Sequence, residues 1–215
     1  MSSFIIKIIA VIAMLIDHIG FVFFPDVLWL RIIGRLAMPL FAFQVALGFQ
    51  HTKDRNQYIL RMLIFALVSQ IPFNMLLSVG ELSFKLNIGF TFLFALLALY
   101  SLENVKPIWG KILCLVPLVI AAYFLNYDYY LYGIALVIIF YYTQKQPVLL
   151  ISLFLSATIL YFAYRQNEVL LFTPLALIPI LLYNGKKGPG FKYFFYLFYP
   201  LHMLIICGIF TQWTH

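Results

Sequence analysis

The residues able to do chemistry in this chain are few, and they sit where such groups are costly. Asp17 and His18 end the apolar run Ile8-Ile9-Ala10-Val11-Ile12-Ala13-Met14-Leu15-Ile16. A histidine beside a carboxylate can act as a general base near neutral pH, because the carboxylate orients the ring and stabilises its protonated form. Adjacent helical positions point about 100° apart, so Asp17 could support His18 only from behind. The structural alternative is an interfacial histidine and an aspartate that holds helices together through an arginine. Arg31 and Arg35 are four apart and so share a helix face. Arg31 can snorkel to the headgroups or contact substrate. Arg35 follows Gly34 and lies one turn before Pro39; it could neutralise Asp17, or hold a carboxylate, a phosphate or a developing oxyanion. His202, in Phe198-Tyr199-Pro200-Leu201-His202, either caps carbonyls freed by Pro200 or faces a polar cavity lined also by Tyr196 and Tyr199. Asn74 and Asn87 flank a third polar region and complete the site-lining candidates, although hydrogen bonding between helices is the commoner role for such groups.

An ionisable group at the bilayer centre costs about 2.5–3.5 kcal/mol on insertion scales, and this chain is built for a bilayer. Of its 215 residues, 65% are hydrophobic and 10% charged, with a mean hydropathy of +1.01. A crossing helix takes about 20 residues, so nine crossings use about 180 and leave about 35 for loops and tails. A separate soluble catalytic domain, a Rossmann or P-loop module and a large ectodomain are thereby excluded. The apolar runs predict helices near 4–24, 29–50, 58–79, 87–102, 108–125, 129–143, 147–164, 168–183 and 192–212. The sixth and eighth are short, which brackets the count between eight and ten. The runs are long and continuous rather than alternating, which argues against a barrel. The expected fold is an all-α, polytopic integral membrane protein forming a single domain over residues 1–215.

The net charge of +7 would suggest nucleic acid in a soluble domain, but here the basic residues punctuate apolar runs and report orientation. Lys7, Lys53, Arg55, Arg61, Lys106, Lys111, Lys145, Lys186, Lys187 and Lys192 fall on one side, and Arg31, Arg35, Lys85 and Arg165 on the other. This predicts a cytoplasmic N-terminus and, with nine crossings, an external C-terminus. Asp17 then lies roughly 20 Å across from Phe4, in the outer half. The segment through Phe24 lacks a small-residue cleavage site and reads as a retained first helix. Asn126, Tyr127, Asp128 and Tyr129 form a polar outer turn. Cys114 and Cys207 have no metal-ligand spacing and read as free thiols. Nucleotide-loop, HExxH and GxSxG motifs are absent, and no metal is expected. The loop His51-Thr52-Lys53-Asp54-Arg55-Asn56-Gln57-Tyr58 reads as a solvated, orienting turn whose basic residues could meet an anionic donor such as coenzyme A.

Four segments in order carry a resemblance: Asp17-His18-Ile19-Gly20, Gly34-Arg35-Leu36-Ala37-Met38-Pro39-Leu40-Phe41-Ala42-Phe43, Gly48-Phe49-Gln50-His51-Thr52, and Tyr199-Pro200-Leu201-His202. Dense over residues 5–75 and at the last helix, the pattern resembles the TraX family, named for the F-pilin acetylation protein. The resemblance implies a polytopic enzyme of the bacterial cytoplasmic membrane that moves an acetyl group from acetyl-CoA to a protein, lipid or glycan acceptor. It is similar, more distantly, to transmembrane acyltransferases that take acyl-CoA from the cytoplasm and modify an acceptor on the far side. Asp17, His18, Arg35 and His202 match the family's polar positions. The expected mechanism is direct transfer: His18 deprotonates an acceptor amine or hydroxyl, Asp17 orients His18, and Arg35 or His202 stabilises the oxyanion. Two other classes compete: a small proton-coupled transporter, since buried Asp, His and Arg also form relays, and a non-enzymatic membrane assembly factor.

Overall fold

A computed structural model describes residues 1–80, 84–124, 128–190 and 192–213, the side chains of 122, 123, 192 and 193 aside. Asn126 and Tyr127 of the predicted outer turn lie outside the described residues. Helices occupy Ser3–Phe23 (α1), Leu28–Gly34 (α2), Ala37–His51 (α3), Arg55–Val79 (α4), Ile88–Asn104 (α5), Ile108–Phe124 (α6), Tyr130–Thr143 (α7), Pro147–Arg165 (α8), Leu177–Leu181 (α9) and Lys192–Trp213 (α10). All nine predicted segments are helical, for the reason that hydropathy suggests: in lipid the backbone must satisfy its own polar groups within the segment. The chain is an all-α polytopic membrane protein. Among the described residues, five spans are long and apolar enough to cross a membrane, with Leu28–His51 counted as one.

Two segments differ from single helices. The second breaks at Arg35 and Leu36. Pro39 cannot donate to the Arg35 carbonyl and its ring crowds that carbonyl, so the first helix stops at Gly34 and a new one starts at Ala37, with Pro39 in its first turn. The eighth runs as a 3-10 helix over Glu168–Ala176 before α9. Pro174 and Pro179 remove two donors from a stretch too short to absorb them.

Packing centres on α3, where eleven of fifteen residues are buried. One apolar cluster joins α3, α5 and α7 through Phe43, Leu96 and Phe140. A second joins α1, α4 and α10 through Met14, Phe73 and Met203. Outward-facing side chains such as Leu113, Val148 and Leu160 are exposed and apolar, as a lipid-facing coat requires.

Hydrogen bonds between distant loops fix the up-and-down order. Ser3 N donates to Lys186 O at 2.8 Å, Phe4 N to Lys187 O at 3.1 Å, and Asn184 N to Met1 O at 2.9 Å. The start of α1 and the loop before α10 therefore share one end, so an even number of crossings separates them. At the opposite end Asp128 N donates to Leu86 O at 3.0 Å, and the Thr91 hydroxyl donates to Asp128 O at 2.6 Å.

Candidate functional site

α1 delivers Asp17 and His18 to different partners. The Asp17 carboxylate turns toward α2, where Oδ1 meets Arg31 Nη1 and Arg35 Nη2, each at 3.0 Å. Arg31 Nη1 also donates to the Asp17 carbonyl at 2.9 Å, and Arg35 Nε donates to the Arg31 carbonyl at 3.3 Å. The Asp17 and Arg35 side chains keep only 14% and 12% of their surface, so water screens this pair little. Gly34 makes the approach possible: a Cβ there would lie 2.0 Å from Asp17 Oδ1.

His18 turns to α10 instead. Its Nδ1 lies 2.7 Å from His202 Nε2, with the ring planes within 1° and centroids 4.9 Å apart. His202 Nδ1 lies 2.8 Å from the Phe198 carbonyl. A carbonyl only accepts, so His202 Nδ1 carries the proton. In the neutral pair His202 Nε2 then accepts from His18 Nδ1–H, and the free lone pair is left on His18 Nε2. The expectation that Asp17 orients His18 is corrected by this arrangement: the carboxylate is engaged by two guanidiniums, and the group that sets the His18 tautomer is His202. Neither reading offered for His202 holds as stated: the carbonyl it meets is that of Phe198 and not that of Tyr196, which Pro200 leaves without a helical donor, and its polar partner is the His18 ring rather than the cavity that Tyr196 and Tyr199 line. With both nitrogens engaged, neutral His202 has no donor left for an oxyanion.

The asparagines go elsewhere, and their expected place in the site is corrected too. Asn87 has no accessible surface. Its Oδ1 accepts from Gly89 N at 2.8 Å, while Nδ2 donates to Ala66 O at 2.7 Å and Gln70 Oε1 at 2.9 Å. It caps α5 and ties it to α4. Asn74 Oδ1 accepts from Gln70 Nε2 at 2.9 Å, within α4. Both belong to a brace around Gln70, which also donates to the Lys85 carbonyl at 2.7 Å. Tyr199 is buried, with its ring 5.9 Å from that of His202.

A cavity of about 490 Å³ opens between α1, α3, α4 and α10 at the end that carries the N-terminus. Tyr199 and Met14 line it, as do Phe65 and Tyr196, and Met14 lies one turn before His18. Lys7, His51, Arg61 and Lys187 also line it, and among the described residues no carboxylate does. Sequence reasoning counted Arg61 and Lys187 only as orientation charges and missed Gln44, another lining residue. The available signal was a lone amide in the otherwise apolar stretch from Ala37 to Leu47.

The TraX protein family model matches residues 2–210. The chain belongs to the TraX family. A relative of this TraX-family protein, the probable fimbrial assembly protein FimC, serogroup H1, of Dichelobacter nodosus, is 34% identical over 232 aligned positions, covering 96% of this chain and 95% of the relative. An uncharacterized protein of Rickettsia prowazekii (strain Madrid E) is 28% identical over 144 positions, covering 66% of this chain and 55% of its own length. No solved structure matches the TraX-family chain.

Proposed function

We propose that this TraX-family protein is a membrane acyltransferase, oriented with its basic end in the bacterial cytoplasm, that moves an acetyl group from acetyl-CoA to an amine or hydroxyl of an envelope acceptor. The observation that carries the reading is the hydrogen-bonded chain His18–His202–Phe198 carbonyl, which leaves His18 Nε2 as an oriented, unprotonated nitrogen inside the bundle. In the reaction His18 Nε2 takes the proton of the acceptor N–H or O–H while the acceptor's lone pair forms the new bond to the thioester carbonyl carbon. The tetrahedral oxyanion collapses, the C–S bond breaks, and the thiolate leaves with the proton held by His18. Protonated His18 is stabilised through its Nδ1–H to His202, which makes His202 the positioning residue. Arg35, with Nε and Nη2 engaged, retains Nη1 as a donor for the oxyanion. The name of the Dichelobacter relative suits a fimbrial subunit as acceptor. It also suits a second reading, an assembly factor without enzymatic activity.

The test is mass spectrometry of envelope proteins and glycans after incubating purified protein with acetyl-CoA and membranes lacking the gene. Acetylated product is expected from wild type, with the rate reduced about 10²–10⁴-fold in His18→Ala, the usual worth of a general base. In His202→Ala the ring of His18 loses its tautomer partner and the pH–rate profile shifts. A His18→Ala chain that supports fimbriation as well as wild type would favour the assembly factor and sink the transferase.

A further inference from the structure

A second hollow, of about 280 Å³, lies at the same end of the bundle, between the α7–α8 turn and the segment that follows α9. Phe43, Leu150 and Ile180 line it and are themselves buried, so they form its floor. Gln144, Lys145 and Tyr183 line it as well and give it a polar rim. The two hollows share no lining residue, and Phe43 lies about 100° round α3 from Gln44. An indentation with an apolar floor and a charged rim suits an amphiphile.

Lys145 sets the sign of the head. It stands exposed in the turn. Among the described residues no carboxylate lines the hollow, and both ion pairs go to Asp17 instead. A phosphodiester would gain a charge-assisted hydrogen bond from the Lys145 ammonium and neutral ones from the Gln144 amide and the Tyr183 hydroxyl. A choline or ethanolamine head would add a second cation beside Lys145 with no carboxylate to receive it.

The lip gives that head a tail. Leu181 lines the hollow and ends an exposed apolar stripe in which Phe172, Leu175, Ile178 and Leu181 recur every three residues along the 3-10 segment and α9. Three-residue spacing eclipses side chains in a 3-10 helix and keeps them on one side of an α-helix. At about 1.5–2.0 Å per residue, the rise from Phe172 to Leu181 is roughly 14–18 Å. That is about half of the ~30 Å hydrocarbon core, the depth of one leaflet.

We infer that this hollow binds one anionic phospholipid, with its phosphodiester on Lys145, Gln144 and Tyr183, its glycerol over Phe43, Leu150 and Ile180, and an acyl chain along the stripe from Leu181. The stripe selects a bilayer lipid over a soluble phosphate. The lipid ties the α7–α8 turn to the segment after α9, which already holds the start of α1: Met1 N donates to Leu182 O, and Asn184 N donates to Met1 O at 2.9 Å. None of these contacts depends on acyl transfer.

The experiment is native mass spectrometry of the full chain, delipidated in detergent and returned to equimolar phosphatidylglycerol and phosphatidylcholine, beside thermal unfolding in each lipid. Wild type is expected to retain one phosphatidylglycerol, preferred about tenfold over phosphatidylcholine because only the anionic head keeps its charge-assisted contact uncontested. Its Tm should rise by roughly 5–10 °C at a hundredfold excess of phosphatidylglycerol over Kd. Lys145→Gln is expected to lose the preference, and Leu181→Glu, which sets a carboxylate at the lip, to lose the bound lipid. Lys106→Gln alters an exposed lysine of the same end outside the hollow and keeps both, which separates the site from the general attraction of anionic lipid to basic residues. Equal retention of the two lipids by wild type overturns the inference, as does a preference that survives either Lys145→Gln or Leu181→Glu, or one that Lys106→Gln diminishes as much as Lys145→Gln. An equal rise in Tm with inorganic phosphate alone overturns the lipid assignment.

Discussion

Gly34→Ala is the sharpest test of how the polar cluster is held. The added Cβ would lie 2.0 Å from Asp17 Oδ1 and 2.4 Å from Asp17 Cβ and Cγ. Non-bonded carbons settle at about 3.5 Å, so Asp17 must retreat by about 1 Å. The move cannot be confined to a flexible tip, because Cβ itself is struck. Asp17 Oδ1 bridges Arg31 and Arg35 at 3.0 Å each, so retreat lengthens both contacts and leaves Arg35, 12% exposed at its side chain, short of its counter-ion. Overpacking alone costs about 1–3 kcal/mol, and breaking a buried ion pair about 3–5 kcal/mol. A partial retreat should therefore cost about 3 kcal/mol in all. For a chain of this length 1 kcal/mol shifts Tm by about 2–4 °C, which gives a fall of roughly 6–12 °C. The assay is thermal unfolding in detergent, with Gly208→Ala as control. A Cβ at Gly208 has nothing within 4 Å, and replacing a mid-helix glycine gains about 0.5–1 kcal/mol. Gly34→Ala melting within 2 °C of wild type, on the scale just given, would refute the close packing of α1 on α2 as the device that fixes Asp17.

Two other perturbations probe the N-terminal end of α5, where Asn87 caps the helix and Asp128 packs against it. Asn87→Ala removes the α5 cap and the bonds from Asn87 Nδ2 to Ala66 O and Gln70 Oε1 that tie α5 to α4, so it should cost about 2 kcal/mol, a Tm drop of roughly 4–8 °C. Asn87→Asp keeps the cap acceptor and should fall between, and equal melting of all three would contradict the role. Asp128, in the turn before α7, has its carboxyl pushed up to about 6 by burial, with Lys85, Arg35 and Arg31 opposing the shift and Asp17 adding to it. The folded state thus holds this proton to higher pH than an unfolded aspartate, whose pKa is about 3.9. The sign follows: the contribution of Asp128 is most favourable below about pH 4 and is lost as pH rises to about 6. Melting curves across that range should show a decline in wild type that Asp128→Asn lacks, and parallel pH dependences would dismiss the shift.

Much of the architecture is legible in the residue order, and the reason is the solvent. A bilayer core offers no hydrogen bonds, so any apolar run long enough to cross must form a helix, whatever its neighbours do. That is why segments such as 147–164 and 192–212 agree with α8 and α10 to within a residue or two. The break at Arg35 was legible only as a loosening at Pro39. Free thiols at Cys114 and Cys207 followed from their spacing. Asp17, His18, Arg35 and His202 stood out because charge in lipid is costly, and that argument needs no partner to be named.

Partners are another matter. Whether Asp17 serves His18 or two arginines depends on the rotation of α1 and on how closely α2 approaches, which Gly34 permits through the absence of one carbon. His202 reaches His18 across 184 residues of chain, a proximity that no local pattern encodes. Arg61 and Gln44 are ordinary in sequence, one an orientation charge and the other a single amide, and become notable only because both line one cavity and each has a buried nitrogen, Arg61 Nε and Gln44 Nε2, without an acceptor. Composition and periodicity by themselves determined a helical membrane protein with a few costly polar groups. The tertiary structure alone decided which of those groups pair, because pairing is set by helix rotation, depth and contact distance, and these arise from packing between segments far apart in the chain.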